Sequence, residues 1–317
     1  MVRFLSLVLL ALVCLANPVL AADPVLASDP PEPPTSWTYP PQMNASAVEV
    51  YRTVGDVELK AWIFTPPNHQ PTDSRAAAVF FFGGGWNAGT PGQFYPHCVH
   101  LAKRGMVAIT VDYRVKTRHQ VLPQQCLADA KAALRWVRAN AKRLGVNPKQ
   151  VAAGGGSAGG HLAAATGTVK GFEDGDFLDY RSTPDAMLLF NPAVALAAID
   201  GQENEFPAEK LADIDRRCDG LAKQLSPFHH VAKGVAPTVI FHGTNDSAVP
   251  YWTVVEYQKL MKDNGNRCQL MTYQGQPHGF FNAGRGQGEK RAEANRRYHQ
   301  TIKQLDEFLV SLGYLKQ

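Results

Sequence analysis

Cysteine is scarce: there are five in 317 residues, and one of them, Cys14, falls in an apolar N-terminal run. The other four, Cys98, Cys126, Cys218 and Cys268, lack zinc-site spacing and sit in no reactive motif. Four cysteines allow three full pairings. One or two disulfides suit an oxidising compartment, and a domain of this size equally has core enough to fold without them. Charge of one sign is also lacking. Lys and Arg total 32 against 28 Asp and Glu, a formal +4, and no basic run exceeds two residues. The basic face that a nucleic-acid partner needs is therefore excluded. Beyond the first residues no segment is long and apolar enough to cross a bilayer. No internal repeat is visible.

What is present begins at the N-terminus. Arg3 precedes an apolar run from Phe4 to Ala16, and "VLAAD" (19–23) supplies small residues before a cleavage point after Ala21. This is the pattern of a secretory signal peptide, with residues 1–21 removed and the product exported to the periplasm or beyond. Cys14 invites a lipoprotein reading, but Val13 is too large for the small-residue box before such a cysteine. Residues 22–43 hold seven prolines and little periodic apolar content, so they read as a stiff leader. The catalytic domain is expected over 44–317.

From Ala47 the pattern becomes structured. "VEVYRTVGDVELKAWIF" alternates apolar and polar residues on both sides of Gly55-Asp56, which predicts a β-hairpin with one buried face. "AAAVFFF" (76–82) and "MVAITV" (106–111) are continuous apolar runs, as expected of strands covered on both faces. "VAAGG" (151–155), "DAMLLFNP" (185–192), "PTVIFHG" (237–243) and "QLMTY" (269–273) continue the series. Between them Leu127, Ala130, Leu134, Val137, Ala141 and Leu144 mark one stripe of a helix, and Tyr298, Ile302, Leu305, Leu309 and Leu312 mark another. A hairpin followed by alternating strands and helices predicts a mainly parallel α/β sheet. Residues 195–230 interrupt the alternation and read either as a small cap or as ordinary surface helices.

"AAGGGSAGGHLAAA" (152–165) crowds five glycines into seven positions around Ser157. A strand ending near Gly155 and a helix beginning near Ala158 would hold the serine on a strained turn whose neighbours must lack side chains. Gly155-Gly156-Ser157-Ala158-Gly159 fits the G-x-S-x-G nucleophile elbow. The alternative, a phosphate-cradling loop, lacks its lysine, and the spacing and downstream acid of a dinucleotide fingerprint are missing. A nucleophilic serine needs a base, an orienting acid and oxyanion donors. "FHGTNDSAVPY" (241–251) places Asp246 after one strand, and "GQPHGFFN" (275–282) places His278 after the next. "FFGGGW" (81–86) lets the amides of Gly84 and Gly85 join that of Ala158, each such donor being worth about 3 kcal/mol in a transition state. The order Ser157, Asp246, His278 suits a catalytic triad. Asp213 and Asp215 are rival acids but fall in a predicted helix. His97, His100, His119, His161, His229, His230, His242 and His299 are read as structural. Trp86 is read as lining a substrate pocket and Phe280 as core.

These motifs, with "GMVAITVDYRV" and "HGTNDSAVP", make the chain resemble α/β-hydrolase esterases, on the branch of acetyl-xylan and feruloyl esterases near the hormone-sensitive-lipase group. The resemblance runs from about Ala47 to the C-terminus. It implies an eight-stranded, mostly parallel sheet with an N-terminal antiparallel hairpin and helices on both faces. It also implies hydrolysis of short-chain carboxylic esters through an acyl-enzyme, without metal or cofactor, with a small ester or acetylated polysaccharide as substrate. Phe82 stands where the lipase-like group has histidine, so whatever braces the glycine loop must come from elsewhere. Asp112 to Arg114 ("DYR") is read as a structural ion-pair site. A serine peptidase or amidase of the prolyl-oligopeptidase type is the second reading, and a secreted binding module without chemistry the third.

Overall fold

"RAAAVFF" forms β3 (Arg75–Phe81), and its successive side chains enter opposite layers, as the period of two requires. Ala77, Val79 and Phe81 face one core; Ala76, Ala78 and Phe80 face the other. A strand apolar on both faces must be covered on both, and this one is. The computed structural model describes residues 39–202 and 206–317. The expected signal peptide with its cleavage point after Ala21, and most of the leader, lie outside those residues.

The remaining strands are β1 (Ala47–Val54), β2 (Val57–Phe64), β4 (Val107–Val111), β5 (Val146–Gly156), β6 (Ala186–Phe190), β7 (Thr238–Gly243) and β8 (Cys268–Tyr273). They form one eight-stranded sheet in the order β1-β2-β4-β3-β5-β6-β7-β8. β2 runs antiparallel to β1 and β4; all other neighbours are parallel. One layer of helices comprises α3 (Pro123–Ala139), α4 (Ala158–Thr168) and α7 (Tyr251–Asp263), and the other α1 (Tyr95–Lys103) and α8 (Glu289–Ser311). Each buried leucine or valine in these layers contributes about 1.5–3 kcal/mol. α2 (Lys116–His119), α5 (Ala208–Arg217) and α6 (Ala222–Leu225) are short additions near the carboxyl ends of the strands.

Three expectations change in detail. The helical stripe ends earlier than its spacing predicts: α3 stops at Ala139, where the Asn140 amide side chain caps the Trp136 carbonyl and Gly145 takes φ +60°. Ala141 and Leu144 are still buried, but in the turn. The leader's last residues belong to the body, since Arg118 lies over the Tyr39 ring at 4.1 Å and Met43 packs on the core. All four described cysteines are free and buried, so no disulfide links them. "DYR" is an ion-pair site, but its members do not pair with each other. Arg114 grips Asp129 with two bonds of 2.9 Å, and Asp112 meets Arg118 at 3.2 Å.

Candidate active site

β5 ends in the glycine cluster and α4 begins one residue after Ser157, which takes φ 55° and ψ −118°. That conformation is costly for a residue with a β-carbon and is held by its surroundings: the Ser157 amide donates to the Phe190 carbonyl at 2.9 Å. The glycines have a steric explanation. A β-carbon on Gly159 would lie 2.0 Å from the Phe81 carbonyl oxygen, and one on Gly155 would lie 2.3 Å from the Gly159 carbonyl oxygen. The ends of β3 and β5 and the start of α4 approach so closely that no side chain fits between them.

β7 and β8 deliver two further groups to the same point. Nε2 of His278 lies 3.0 Å from Oγ of Ser157, and Nδ1 lies 2.7 Å from Oδ2 of Asp246. The carboxylate neighbour puts the proton on Nδ1, leaving Nε2 as acceptor for the hydroxyl. Asp246 is fixed in turn, since its Oδ1 accepts from the amides of Ala248 and Val249 at 2.9 and 2.8 Å. Burial acts to raise the Asp246 carboxyl, but the His278 hydrogen bond, the Val249 amide and two nearby imidazoles outweigh it and hold it below the usual range. His242, read as structural from sequence, is one of those imidazoles. Its Nε2 meets the Val249 carbonyl at 3.0 Å and Oδ2 of Asp246 at 3.3 Å, so that nitrogen carries the proton. Its i,i+4 spacing from Asp246 was the available signal. Asp213 and Asp215 lie on α5, as the helix reading expected.

The glycine loop after β3 is braced without a histidine. Oε1 of Gln93 accepts from the Gly83 amide at 2.6 Å, while Nε2 of Gln93 donates to Oδ1 of Asn282 at 3.0 Å. Nδ2 of Asn282 donates to the Gly279 carbonyl at 2.8 Å, and the Gly279 amide donates to Oδ1 of Asn191 at 2.9 Å. One chain of amides thus ties the glycine loop to the His278 loop. Phe82 stacks on Tyr113 at 4.1 Å, and the Tyr113 hydroxyl donates to the Phe82 carbonyl at 2.7 Å. Among the described residues the amides of Gly84 and Gly85 meet no acceptor. Ala158 opens α4, where the first amides have no intrahelical partner. Gly84 has φ +124°, and a β-carbon there would lie 2.2 Å from the Ala88 carbonyl oxygen, so this loop has no freedom to accept a side chain.

Ser157 and His278 line an open cavity of about 580 Å³, together with Gly83, Gly84, Gly85 and Gln93. Trp86 is not part of it, which corrects the pocket reading. Its side chain is buried, Nε1 donates to Nδ1 of His161 at 3.1 Å, and it borders a separate cavity of about 390 Å³ with Asp213 and Arg217. The backbone at Trp86 takes φ 59°, and its indole meets the His161 ring edge-on with centroids 5.0 Å apart. His161 closes that contact by donating from Nε2 to the Leu225 carbonyl at 2.8 Å; burial pushes its pKa down to about 4. Phe280 is core. Within 195–230, α5 touches both loops of the site: Arg217 donates to the Gly85 carbonyl, and Lys210 donates to the Ala248 carbonyl at 2.8 Å.

Comparison with known proteins agrees with this arrangement. The model of the BD-FAE family matches residues 63–261, and that of the dienelactone hydrolase family matches 220–309. Thermogutta terrifontis esterase 2 with butyrate bound is 44% identical, has a TM-score of 0.82, and is matched over 89% of this chain and 99% of that one. Esterase LipC of Mycobacterium tuberculosis is 27% identical over 225 residues, 66% of this chain and 54% of LipC. The acetylxylan esterase of Xylanibacter ruminicola is 27% identical over 229 residues, 68% of this chain and 42% of that protein. The chain thus spans about half the length of these two curated relatives. With a sheet, a turn and a loop order of this kind, the chain belongs to the BD-FAE family and has the fold of the α/β-hydrolase esterases.

Proposed function

We propose that this chain is an exported serine carboxylic ester hydrolase that acts through an acyl-enzyme on short-chain esters, with acetylated polysaccharide such as xylan as its substrate. The observation that carries the reading is the hydrogen-bonded line from Ser157 through His278 to Asp246, set beside two unpaired loop amides. Ser157 Oγ attacks the ester carbonyl carbon while Nε2 of His278 takes the hydroxyl proton. Negative charge gathers on the former carbonyl oxygen, within reach of the amides of Gly84, Gly85 and Ala158. The ester C–O bond breaks, and His278 returns the proton to the departing alcohol oxygen. A water molecule then repeats the sequence on the acyl-serine, releasing the carboxylic acid and restoring Ser157.

Asp246 acts throughout by orienting the imidazole and stabilising its charged form. The short acyl preference draws on the Thermogutta esterase, which has been solved with propionate and with butyrate bound. The acetyl-polysaccharide preference draws on the acetylxylan esterase relative and on the export pattern of residues 1–21. The test is acetate release from acetylated xylan by the mature protein, with Ser157→Ala as blank. Serine-dependent release at a rate matching small aryl acetates supports the polysaccharide substrate. Aryl esters cleaved without any release from xylan would restrict the activity to small esters.

A further inference from the structure

Taking the ester hydrolase reading as given, the geometry points to Arg285 as the binding group for a carboxylate on the substrate, so that the preferred ester carries an acidic group beside the bond that is cut. Arg285 lines the same cavity as Ser157 and His278. Its guanidinium sits over the backbone of Gly279, the residue after His278: a β-carbon on Gly279 would lie 3.1 Å from one of its terminal nitrogens. Among the described residues it has no hydrogen bond and no ion pair. Arg296 and Arg297 on α8 differ, because both pair with Glu293.

The rest of the lining says what Arg285 faces. Among the described residues no aspartate or glutamate borders the cavity, and the other lining residues are glycines, Thr90, Gln93, Asn191, Ala248, Phe281 and Asn282. The acceptors among them are largely occupied: Gln93 Oε1 by the Gly83 amide, Asn282 Oδ1 by Gln93, and Asn191 Oδ1 by the Gly279 amide. The free groups are donors. Among the described residues, Nδ2 of Asn191, a fully buried residue, has no partner, and neither do the amides of Gly84 and Gly85. Spare donors and an unpaired cation, with no acid among the described lining residues, favour an anionic ligand group. Arg285 lies at the solvent-exposed rim of the cavity, and partial burial there lowers its pKa from the usual arginine range. A carboxylate at the guanidinium would recover that cost through charge-assisted hydrogen bonds.

The experiment compares pairs of esters that differ in one charge. Para-acetoxybenzoate and its neutral carboxamide place the carboxylate on the leaving group; nitrophenyl hemisuccinate and nitrophenyl butyrate place it on the acyl group. The readout is the ratio of kcat/KM for the acidic over the neutral member, which cancels any general loss of folded enzyme. In the parent protein one pair should favour the acid by about tenfold or more, the scale of one charge-assisted bond. Arg285→Gln should remove that preference, and Arg285→Lys should keep part of it. A parent protein without preference in either pair, or a preference that Arg285→Gln leaves intact, overturns the proposal. Ester hydrolysis that persists in Ser157→Ala overturns the underlying reading instead.

Discussion

At the scale of single residues, the account rests on which atoms face Ser157. Ser157→Ala should abolish ester turnover with an unchanged unfolding temperature, because it removes one oxygen and leaves the strained turn intact. Steady-state kinetics beside a thermal melt check both halves. Asp246→Asn should lower kcat on the order of 10⁴-fold, since the amide favours the wrong imidazole tautomer; a loss under tenfold would assign the acid elsewhere. Gln93→Ala frees the Gly83 amide and cuts the tie to Asn282, so kcat should fall by roughly tenfold to a hundredfold with KM little changed. Equal changes in both constants would make Gln93 a binding residue. These residues were unequally legible. Ser157, Asp246 and His278 sit in short motifs with glycine and proline punctuation, which are local signals. Gln93 and Asn282 are 189 positions apart and carry no motif, so only the fold brings them together. Trp86 was misread because proximity in sequence to the glycine loop does not determine which way a left-handed backbone aims the indole.

At the scale of elements, the strand-turn-helix unit around Ser157 is packed backbone against backbone. Gly159→Ala would drive a β-carbon to within 2.0 Å of the Phe81 carbonyl. Neither neighbour is a flexible side chain, so the cost should reach about 3 kcal/mol or more, seen as a lowered melting temperature or loss of soluble protein. A melting temperature equal to the parent's would show that β3 can move. Element boundaries were legible wherever a strand is apolar on both faces, as in β3 and β4. The end of α3 was not, because Ala141 and Leu144 are buried for tertiary reasons after the helix has stopped. The strand before Ser157 is poorly marked in the sequence, since its glycines give no β-propensity signal although β5 is a central strand.

At the scale of the molecule, buried histidines should set the acid limit of stability. His97 is enclosed by Phe94, Phe190 and Tyr298, with ring centroids 5.0–5.1 Å away, and burial pushes its pKa down to about 3. The folded state therefore binds fewer protons than the unfolded chain between about pH 3 and 6.5, so stability rises with pH across that window. From pH 7 to pH 5 His97 alone should remove on the order of 2 kcal/mol, and His161 acts in the same direction. Melting temperatures across that range should fall, and fall less in His97→Phe. Equal slopes would assign the acid sensitivity to other groups. The free, buried cysteines lead to a second expectation. A reductant should leave the melting temperature unchanged, and a thiol reagent should label the native protein poorly at Cys98, Cys126, Cys218 and Cys268.

The central claim is that Ser157 is the nucleophile, and covalent capture tests it most directly. The Thermogutta esterase has been solved phosphorylated by paraoxon. Treating this protein with paraoxon and mapping the adduct by peptide mass spectrometry should find one diethylphosphoryl group, on Ser157, formed in step with loss of esterase activity. Complete inactivation with the label on another residue, or full labelling of Ser157 with activity intact, would contradict the account.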